Sequence, residues 1–570
     1  MKLPTTLLFF SLLLVVACKE DPSTIPQEKN PTRGVIGDSA MVVTTHPLAS
    51  QAGIEILRRG GNAFDAAIAV HFALQCVFPE AGNIGGGGFA VIRTAEGEAN
   101  ALDFREKAPA AATRDMYLDK NGDVSPMRSR IGHLAAGVPG SVAGMWELHQ
   151  KYGSMSWSDL LKPAISIAYY GHTLTELAAF NLNDKQKEFT EQNRFTPWTI
   201  NKEGWNPGDS IKQRDLAATL SFIQQYGRDG FYKGIVADQI VKEMQLGGGL
   251  ISYEDLISYK AKWRIPVTGE YKGHKVISMP PPSSGGVAVL QLLQGAEQFD
   301  LSKAAHNSPE AIHLKTELER RVYADRATYL GDPDYYDVPV GMLLDPKYNK
   351  ERFSTISKKK KTNSTDVKEG NVEVIESVQT THYSIADQMG NAVSVTTTLN
   401  SYFGCKVMVQ GAGFFLNNEM DDFSAKPGVP NQFGLIGAEA NAIAPKKRML
   451  SSMTPTIVEK DGKLFMVTGT PGGSTIITSV FQSIVNVIDY GMTMQEAVNA
   501  KKVHSQWLPD AILLEKGTVS QEDSVKLTVY GHELRYRSSI GKLECILVNE
   551  DGSYEGAADY NRGDGTAIGY

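Results

Sequence analysis

The sequence predicts a layered α/β fold in which helices cover antiparallel β-sheets. Between Ile54 and Phe72, apolar side chains recur every three or four residues, which is typical of helices, and Gly60-Gly61 divides the pattern in two. Near residue 380 the period changes to two, where "THYSIAD" and "NAVSVTTT" flank "QMG" as a hairpin. Helices before and after several antiparallel strands indicate a sandwich of layers.

The remaining elements follow in chain order. "AGNIGGGGFAVI" is a loop entering a strand, and it lacks both G-x-G-x-x-G before a helix and a G-K-[ST] ending. This absence favours close backbone packing over phosphate binding. Residues 137–331 mix helical runs with Gly/Pro turns and contain no internal repeat. "TPTIVEKDGKLFMVTGTPGG" predicts strand–turn–strand, and "STIITSVFQSIVNVIDYG" predicts a helix that packs on a sheet.

Composition restricts the class of protein. The chain has 570 residues, is 42% hydrophobic and 21% charged, and is therefore globular, with room for several domains or one large α/β unit. A net charge of -7 and a pI of about 6.0 argue against a dedicated nucleic-acid binder. Four cysteines are too few for a disulfide scaffold.

The N-terminus predicts export. Residues 1–17 combine one lysine with an apolar run shorter than a spanning helix requires, as in a signal peptide. "VVAC" is similar to a bacterial lipobox, in which Cys18 would be lipidated and become the first mature residue. An ordinary secretory signal with a coincidental cysteine is the alternative. Residues 18–34 then form a polar tether, and the protein would sit on a membrane through its lipid without spanning it.

A second polar segment lies at about residues 354–379. "STISKKKKTNSTDVKEG" is rich in charged and small polar residues, so it predicts a flexible, solvated linker. The lysines Lys358–Lys361 belong to that linker rather than to a binding patch.

The linker leads directly to a candidate nucleophile. The sequence has neither clustered metal ligands nor a G-x-S-x-G elbow. A threonine becomes nucleophilic when it is a new N-terminus, because its own α-amine, with a pKa near 7.7–8.0, then serves as the base. Thr380 stands at the head of a strand behind a cleavable linker. Gly472-Gly473, between a strand and a helix, offer N–H groups for an oxyanion hole.

Several long motifs carry a family resemblance. "GGNAFDAAIAV", "GNIGGGGF", "LDFREKAP", "AAGVPGSVAG", "PPPSSGGVAVLQLL", "YADRATYLGDPD", "QTTHYSIAD", "NNEMDDFSAKPGVPN", "RMLSSMTPTIV" and "GTPGGS" occur in order. In these the chain resembles the γ-glutamyltransferase family of the N-terminal nucleophile hydrolase superfamily. The resemblance implies a four-layer αββα sandwich with two stacked antiparallel sheets. It also implies cleavage at Gln379-Thr380 into a large subunit, 18–379, and a small catalytic subunit, 380–570, which stay together as a heterodimer.

The resemblance also implies roles for individual residues. Thr380 would be the nucleophile, Thr398 its hydrogen-bond partner, and Gly472 and Gly473 the oxyanion hole. The substrate α-carboxylate would be bound by an arginine and two serines, Arg105, Ser451 and Ser452. The α-ammonium would be bound by an amide and two carboxylates, Asn400, Glu419 and Asp422. Taken alone, each side chain also fits an ordinary surface ion pair, turn, cap or strand position.

One position departs from the family pattern. "PNQFGLIGAEAN" has the length of a lid loop, but Phe433 stands where a tyrosine is usual. Phenylalanine cannot donate the hydroxyl bond, so we expect a lid held by packing alone.

The implied reaction is transfer of a γ-glutamyl group. Glutathione or another γ-glutamyl compound would acylate Thr380, and water, an amino acid or a dipeptide would accept the group, without a metal or an organic cofactor. A cephalosporin or glutaryl acylase of the same superfamily is the first alternative. An inactive, lipid-anchored binding homologue is the second. The expected location is the periplasm or the cell envelope.

Overall fold

A computed structural model describes residues 31–364 and 380–570 of the chain. The signal segment, Cys18 and Gln379 lie outside the described residues. The strands are β1 Val35–Gly37, β2 Met41–Thr44, β3 Gly87–Arg93, β4 Ala99–Asp103, β5 His172–Thr173, β6 Ser210–Ile211, β7 Lys262–Arg264, β8 Val267–Tyr271, β9 His274–Ser278, β10 Thr380–Ala386, β11 Ala392–Thr398, β12 Thr456–Lys460, β13 Lys463–Thr468, β14 Val503–His504, β15 Ala511–Glu515, β16 Glu533–Arg537, β17 Glu544–Val548, β18 Tyr554–Ala558 and β19 Thr566–Gly569.

The helices occur in two groups separated by the central hairpin. They are α1 Pro47–Arg58, α2 Ala63–Val77, α3 Pro126–Arg130, α4 Ser141–Tyr152, α5 Trp157–Tyr170, α6 Glu176–Asp184, α7 Gln186–Gln192, α8 Arg214–Tyr226, α9 Asp229–Tyr232, α10 Gly234–Gly247, α11 Tyr253–Ser258, α12 Gly285–Phe299, α13 Pro309–Tyr329, α14 Val340–Leu343, α15 Pro346–Ser354, α16 Thr475–Ile488, α17 Met494–Asn499 and α18 Gln521–Val529.

Two seven-stranded antiparallel sheets form the centre. Sheet A has the order β1-β18-β17-β13-β12-β9-β8, and sheet B has the order β19-β2-β10-β11-β3-β4-β7. One core lies between sheet B and the helices α1, α2, α4, α5 and α8. A second core fills the space between the sheets and continues to α12, α13 and α16 on the far side of sheet A. The predicted four-layer αββα sandwich is confirmed.

The first two helices are separated at Gly60-Gly61, as predicted. His46 accepts a hydrogen bond from the Leu48 N–H at the start of α1, and Asn62 forms a capping box with Asp65 at the start of α2. Gly60, with φ of 90°, lies between the two helices. All fifteen residues of α2 are buried, because this helix lies within the first core rather than on its edge.

The Gly-rich loop before β3 packs backbone against backbone, as predicted. A Cβ atom added to Gly85 would lie 2.0 Å from the Phe415 carbonyl oxygen, and one added to Gly86 would lie 2.1 Å from the Thr398 carbonyl oxygen. No side chain fits at those distances. The loop therefore lets β3 pair with β11 along its whole length, which places Thr398 opposite Gly87.

Part of the predicted linker lies against the folded protein. Lys358–Lys360 are exposed, in agreement with a solvated segment. Ser364, however, is buried, and its hydroxyl donates to the Trp507 carbonyl oxygen at 2.5 Å. The Lys361 ammonium lies 3.0 Å from the Asp510 carboxylate. Residues 365–379 lie outside the described residues.

Two further sequence expectations concern the membrane and the cysteines. Within residues 31–364 and 380–570, no helix combines the length and apolarity needed to cross a membrane. The described cysteines, Cys76, Cys405 and Cys545, are buried free thiols.

Candidate active site

Two threonine hydroxyls meet at the end of the central hairpin. Thr380 is the first residue of β10 and pairs with Thr398, the last residue of β11. The Thr380 hydroxyl donates to the Thr398 hydroxyl at 3.3 Å, and both side chains are buried. The Asn400 N–H donates to the same Thr398 oxygen at 2.8 Å. The strand register thus fixes the position of the Thr380 hydroxyl without help from a flexible loop.

Nearly all the candidate site residues predicted from the sequence line one pocket. It has an empty volume of about 320 Å³. Its walls include ten predicted residues: Arg105, Thr380, Thr398, Asn400, Glu419, Asp422, Phe433, Ser451, Ser452 and Gly473. Gly472 is adjacent to Gly473 in the chain but does not line the pocket. Side chains separated by up to 368 positions in sequence are therefore brought together.

The Gly472-Gly473 pair lies at the N-terminus of helix α16. Gly472 and Gly473 have φ values of 141° and 56°, and only the N-cap residue Ser474 separates them from α16. Such backbone conformations favour glycine, and they turn the chain at a helix N-terminus, where N–H groups lack helical partners. The Gly472 carbonyl accepts the Thr475 N–H at 3.1 Å, which holds the turn in place.

Arg105 has carboxylate partners on one side. It follows β4, and its N–H donates to the Asp103 carboxylate at 3.0 Å. Its guanidinium donates to the Glu419 carboxylate and, at 2.6 Å, to the Asp422 carboxylate. The carbonyl oxygens of Met449 and Leu450 accept further bonds at 3.3 Å each. The predicted carboxylate-binding arginine and the predicted ammonium-binding carboxylates are thus direct partners of each other.

A third carboxylate, Glu106, lies behind this pair. One of its oxygens is 3.6 Å from the Arg105 guanidinium, and neither oxygen has a hydrogen-bond partner among the described residues. Burial raises the pKa of Glu106 to about 7, although Arg105 opposes the rise. Burial by itself would lower the pKa of Arg105, but Glu419, Asp422 and Glu106 together raise it above its ordinary value.

The Ser451-Ser452 turn lines the same pocket and follows Leu450, whose carbonyl accepts from Arg105. The Ser451 N–H donates to the Pro282 carbonyl at 2.9 Å, and the Met453 N–H donates to the Ser451 hydroxyl at 3.1 Å. Behind the turn lies Arg326 of α13, whose guanidinium donates to the Ser452 hydroxyl at 3.1 Å. The two serine hydroxyls are therefore held by short loops and by a buried arginine.

The loop predicted to act as a lid contributes Phe433 and Leu435 to the pocket lining, and it is held differently from our expectation. Phe433 packs on Gly473, where a Cβ would lie 3.0 Å from the Phe433 ring. In addition, the Gln506 side chain donates to the Phe433 carbonyl at 3.1 Å, and the Gln432 N–H donates to the Asp421 carboxylate at 3.0 Å. The prediction of a lid held by packing alone is wrong, because backbone groups of the loop supply bonds that do not need a tyrosine hydroxyl.

Sequence reasoning missed two charged residues of this site. Glu106 is adjacent to Arg105 in "LDFREKAP", and Arg326 is in "YADRATYLGDPD". Both motifs contributed to the family resemblance, but neither residue received a role. Arg326 lies on a helix with many charged residues, several of them buried, so its place in the pocket lining is what distinguishes it. Among the described residues, no group of three or more His, Cys, Asp or Glu side chains could hold a metal ion.

Comparison with known proteins agrees with this geometry. The family model described as "Gamma-glutamyltranspeptidase" matches residues 49–570. The chain is 45% identical to a protein named "Glutathione hydrolase proenzyme" of Escherichia coli K12, over 96% of this chain and 95% of that protein. Among solved structures, a cephalosporin acylase from Bacillus halodurans has a TM-score of 0.83 at 26% identity, covering 97% of this chain and 99% of its own.

A second solved structure covers part of the molecule. The γ-glutamyltranspeptidase of Helicobacter pylori is 48% identical over 56% of this chain and 93% of its own, with a TM-score of 0.55. Fold and comparisons together define an N-terminal nucleophile hydrolase. Within that class, the chain belongs to the γ-glutamyltranspeptidase family.

Proposed function

We propose that the protein is a self-processing γ-glutamyltransferase and glutathione hydrolase. The family membership and the name of the Escherichia coli relative support this assignment. The observation that carries it is the hydroxyl of Thr380, held 3.3 Å from that of Thr398 inside a buried pocket lined with both carboxylates and arginines.

The first step is cleavage of the chain itself. The Thr380 hydroxyl attacks the carbonyl of Gln379, and hydrolysis of the resulting ester releases Thr380 as a new N-terminus. Residues 18–379 then form the large subunit and residues 380–570 the small one. The new α-amine accepts the hydroxyl proton in each later cycle, and its attachment to the nucleophile keeps the entropic cost of positioning low.

The second step is acyl transfer. Thr380 attacks the γ-amide carbonyl of glutathione, and the N–H groups of Gly472 and Gly473 stabilise the oxyanion. The amine of Thr380 returns its proton to the leaving nitrogen, so cysteinylglycine departs and a γ-glutamyl ester remains. Water converts the ester to glutamate, whereas an amino acid or a dipeptide converts it to a new γ-glutamyl peptide.

The pocket walls supply opposite charges for a zwitterionic substrate. Arg105, Ser451 and Ser452 bind the α-carboxylate, and Asn400, Glu419 and Asp422 bind the α-ammonium. Binding therefore requires the substrate to replace part of the contact between Arg105 and its carboxylates, which lie on the same side of the pocket.

Replacement of the nucleophile tests the proposal. Thr380→Ala should remain one chain of precursor size on a denaturing gel and lose γ-glutamyl-p-nitroanilide hydrolysis by roughly a thousand-fold or more. Thr380→Ser keeps a hydroxyl and should still be cleaved, which makes it the matched control. A wild-type protein that stays as one chain, or a Thr380→Ala protein that still yields two, would refute the assignment.

An acylase is the second candidate, because the cephalosporin acylase shares the overall fold. Glutaryl side chains carry a carboxylate but no α-amine. The buried carboxylates of Glu419 and Asp422 favour a substrate with an amine. Hydrolysis of γ-glutamyl-p-nitroanilide should therefore exceed that of glutaryl-p-nitroanilide, and the reverse order would favour the acylase.

The N-terminal segment adds a location to the proposal. Residues 1–17 would be removed on export, and lipidation of Cys18 would hold the enzyme on the cell envelope by residues 18–34. In a bacterial host, the wild-type protein should partition into the detergent phase of a Triton X-114 extraction. Cys18→Ser should move it to the aqueous phase, and equal partitioning of both would contradict lipidation.

A further inference from the structure

Arg326 is a buried cation in the pocket wall without a carboxylate partner. It is 5% exposed and belongs to the pocket lining. Among residues 31–364 and 380–570, its hydrogen bonds go to two hydroxyls, Ser284 at 2.9 Å and Ser452 at 3.1 Å, and no carboxylate lies within 4.0 Å. A buried charge without a counter-charge is costly, so it is typical of sites where a ligand supplies the opposite charge.

The other arginine of the pocket is in a different electrostatic state. Arg105 lies within 4.0 Å of Glu106, Glu419 and Asp422. One positive charge is therefore shared among three carboxyl groups, so little of the Arg105 charge is left for a substrate anion. Arg326 lines the same pocket together with Ser451 and Ser452 and has more of its charge left for an anion.

The bonds of Arg326 also orient the donors around it. The Ser452 hydroxyl accepts from Arg326, so its own proton remains available for another acceptor. Ser284 accepts from the Arg326 Nε–H and donates to the Ser451 carbonyl at 2.6 Å, which fixes the plane of the guanidinium against the serine turn. The second amino group, Nη1, makes no hydrogen bond within the described residues. Two donors, Nη1 and the Ser452 hydroxyl, are thus left for one anion.

We propose that Arg326 is a substrate-binding residue that, with Ser452, holds the α-carboxylate of the γ-glutamyl group beside Arg105. This role rests on the proposed function, because it requires a substrate with an α-carboxylate.

The charge of Arg326 is suited to this task. Burial lowers the pKa of its guanidinium to about 10, only partly offset by Tyr323 and Asp422. The group is therefore cationic at neutral pH. A zwitterion bound in the pocket would place its carboxylate at Arg326 and Ser452, beside Arg105, and its ammonium at Glu419 and Asp422.

Two substrates that differ by one carboxylate provide the test. γ-Glutamyl-p-nitroanilide has the α-carboxylate, and 4-aminobutanoyl-p-nitroanilide keeps the amine but lacks it. Arg326→Gln should lower kcat/KM for the first by about 10- to 100-fold, as expected for loss of a charge-assisted hydrogen bond, and change the second by less than about 3-fold. Arg326→Lys should restore part of the preference. Equal losses for both substrates would overturn the proposal.

Two more variants distinguish a direct contact between Arg326 and the substrate from an indirect effect through Ser452 or through the fold. Arg321→Gln removes another buried arginine of α13 that bonds to Glu317 and does not line the pocket, so it should affect both substrates equally. In a Ser452→Ala background, Arg326→Gln should still reduce the preference for the carboxylate. If it adds nothing there, Arg326 acts through Ser452 alone and the direct contact is refuted. A wild-type protein inactive on γ-glutamyl-p-nitroanilide would contradict the proposed function instead.

Discussion

At the scale of single residues, the main feature of the pocket is that carboxyl groups outnumber the arginine that they contact. Arg105, Glu106, Glu419 and Asp422 are brought together in a space from which water is largely excluded. Each charge there is costly unless a partner compensates it, and three carboxyl groups share one guanidinium. A proton is the simplest remaining compensation, and within the described part of the chain both Glu106 oxygens and one Glu419 oxygen have no hydrogen-bond partner.

Glu106 therefore predicts a pH dependence of stability. Burial raises its pKa from 4.5 to about 7, so the folded protein keeps a proton that the unfolded chain releases. The stabilising contribution is complete below pH 4.5 and is lost as the pH rises to 7. Relative to the wild type, Glu106→Gln should gain on the order of 1–3 kcal/mol between pH 4.5 and pH 8, measured by urea unfolding. A constant difference between the two proteins at both pH values would contradict the shift.

At the scale of elements, the lid is a loop fixed at several points. Phe433 packs on Gly473, and its carbonyl accepts a hydrogen bond from Gln506, which follows β14. The bond comes from the loop's backbone, so it is compatible with a phenylalanine at this position. The position of this loop thus involves a residue 73 positions away in sequence.

Loss of this bond should loosen the lid. Gln506→Ala removes the hydrogen bond to the Phe433 carbonyl, of about 1 kcal/mol, together with a contact to the His504 ring, so KM for γ-glutamyl-p-nitroanilide should rise about 3- to 10-fold. Processing into two chains should be unaffected. Gln224→Ala, a partly exposed glutamine of α8 that bonds to Ser158, serves as the control and should leave KM unchanged. An unchanged KM in Gln506→Ala would show that packing alone closes the lid.

At the scale of the whole molecule, both sheets are built from segments on either side of residue 380. In sheet B, β10 and β11 lie between β2 and β3, and in sheet A, β12 pairs with β9. Each proposed subunit would leave unpaired strands and exposed core residues if it were alone. Cleavage before Thr380 would cut a connection and leave every strand pair intact.

The two subunits should accordingly stay associated after cleavage. We expect one peak of the full 62.1 kDa mass, less the removed leader, in gel filtration with 1 M NaCl, with two bands from that peak on a denaturing gel. Salt should not separate them, because the shared surface consists of strand pairs and two hydrophobic cores. Elution as two separate peaks in native buffer would contradict this arrangement.

The elements and the site differed in how far the sequence predicted them. Local patterns identified α1, α2, the hairpin β10–β11 and the Gly-rich loop, because side-chain periodicity and glycine content act within a few residues. The motifs also indicated Thr380, Thr398, Gly473 and Arg105 as members of one site, and the pocket collects them. The direct pairing of Arg105 with Glu419 and Asp422, the bond from Gln506 to the Phe433 carbonyl and the hydroxyl partners of Arg326 were not predicted.

The sequence by itself determined the class of fold, the family and the position of the candidate nucleophile, since these follow from local periodicity and from long motifs in a fixed order. Tertiary structure alone decided the charge state of the pocket. Glu106, Arg326 and Gln506 are ordinary polar residues in the sequence, and nothing local distinguishes them. They acquire their properties only when distant segments bury them together, because desolvation and pairing depend on neighbours in space rather than along the chain.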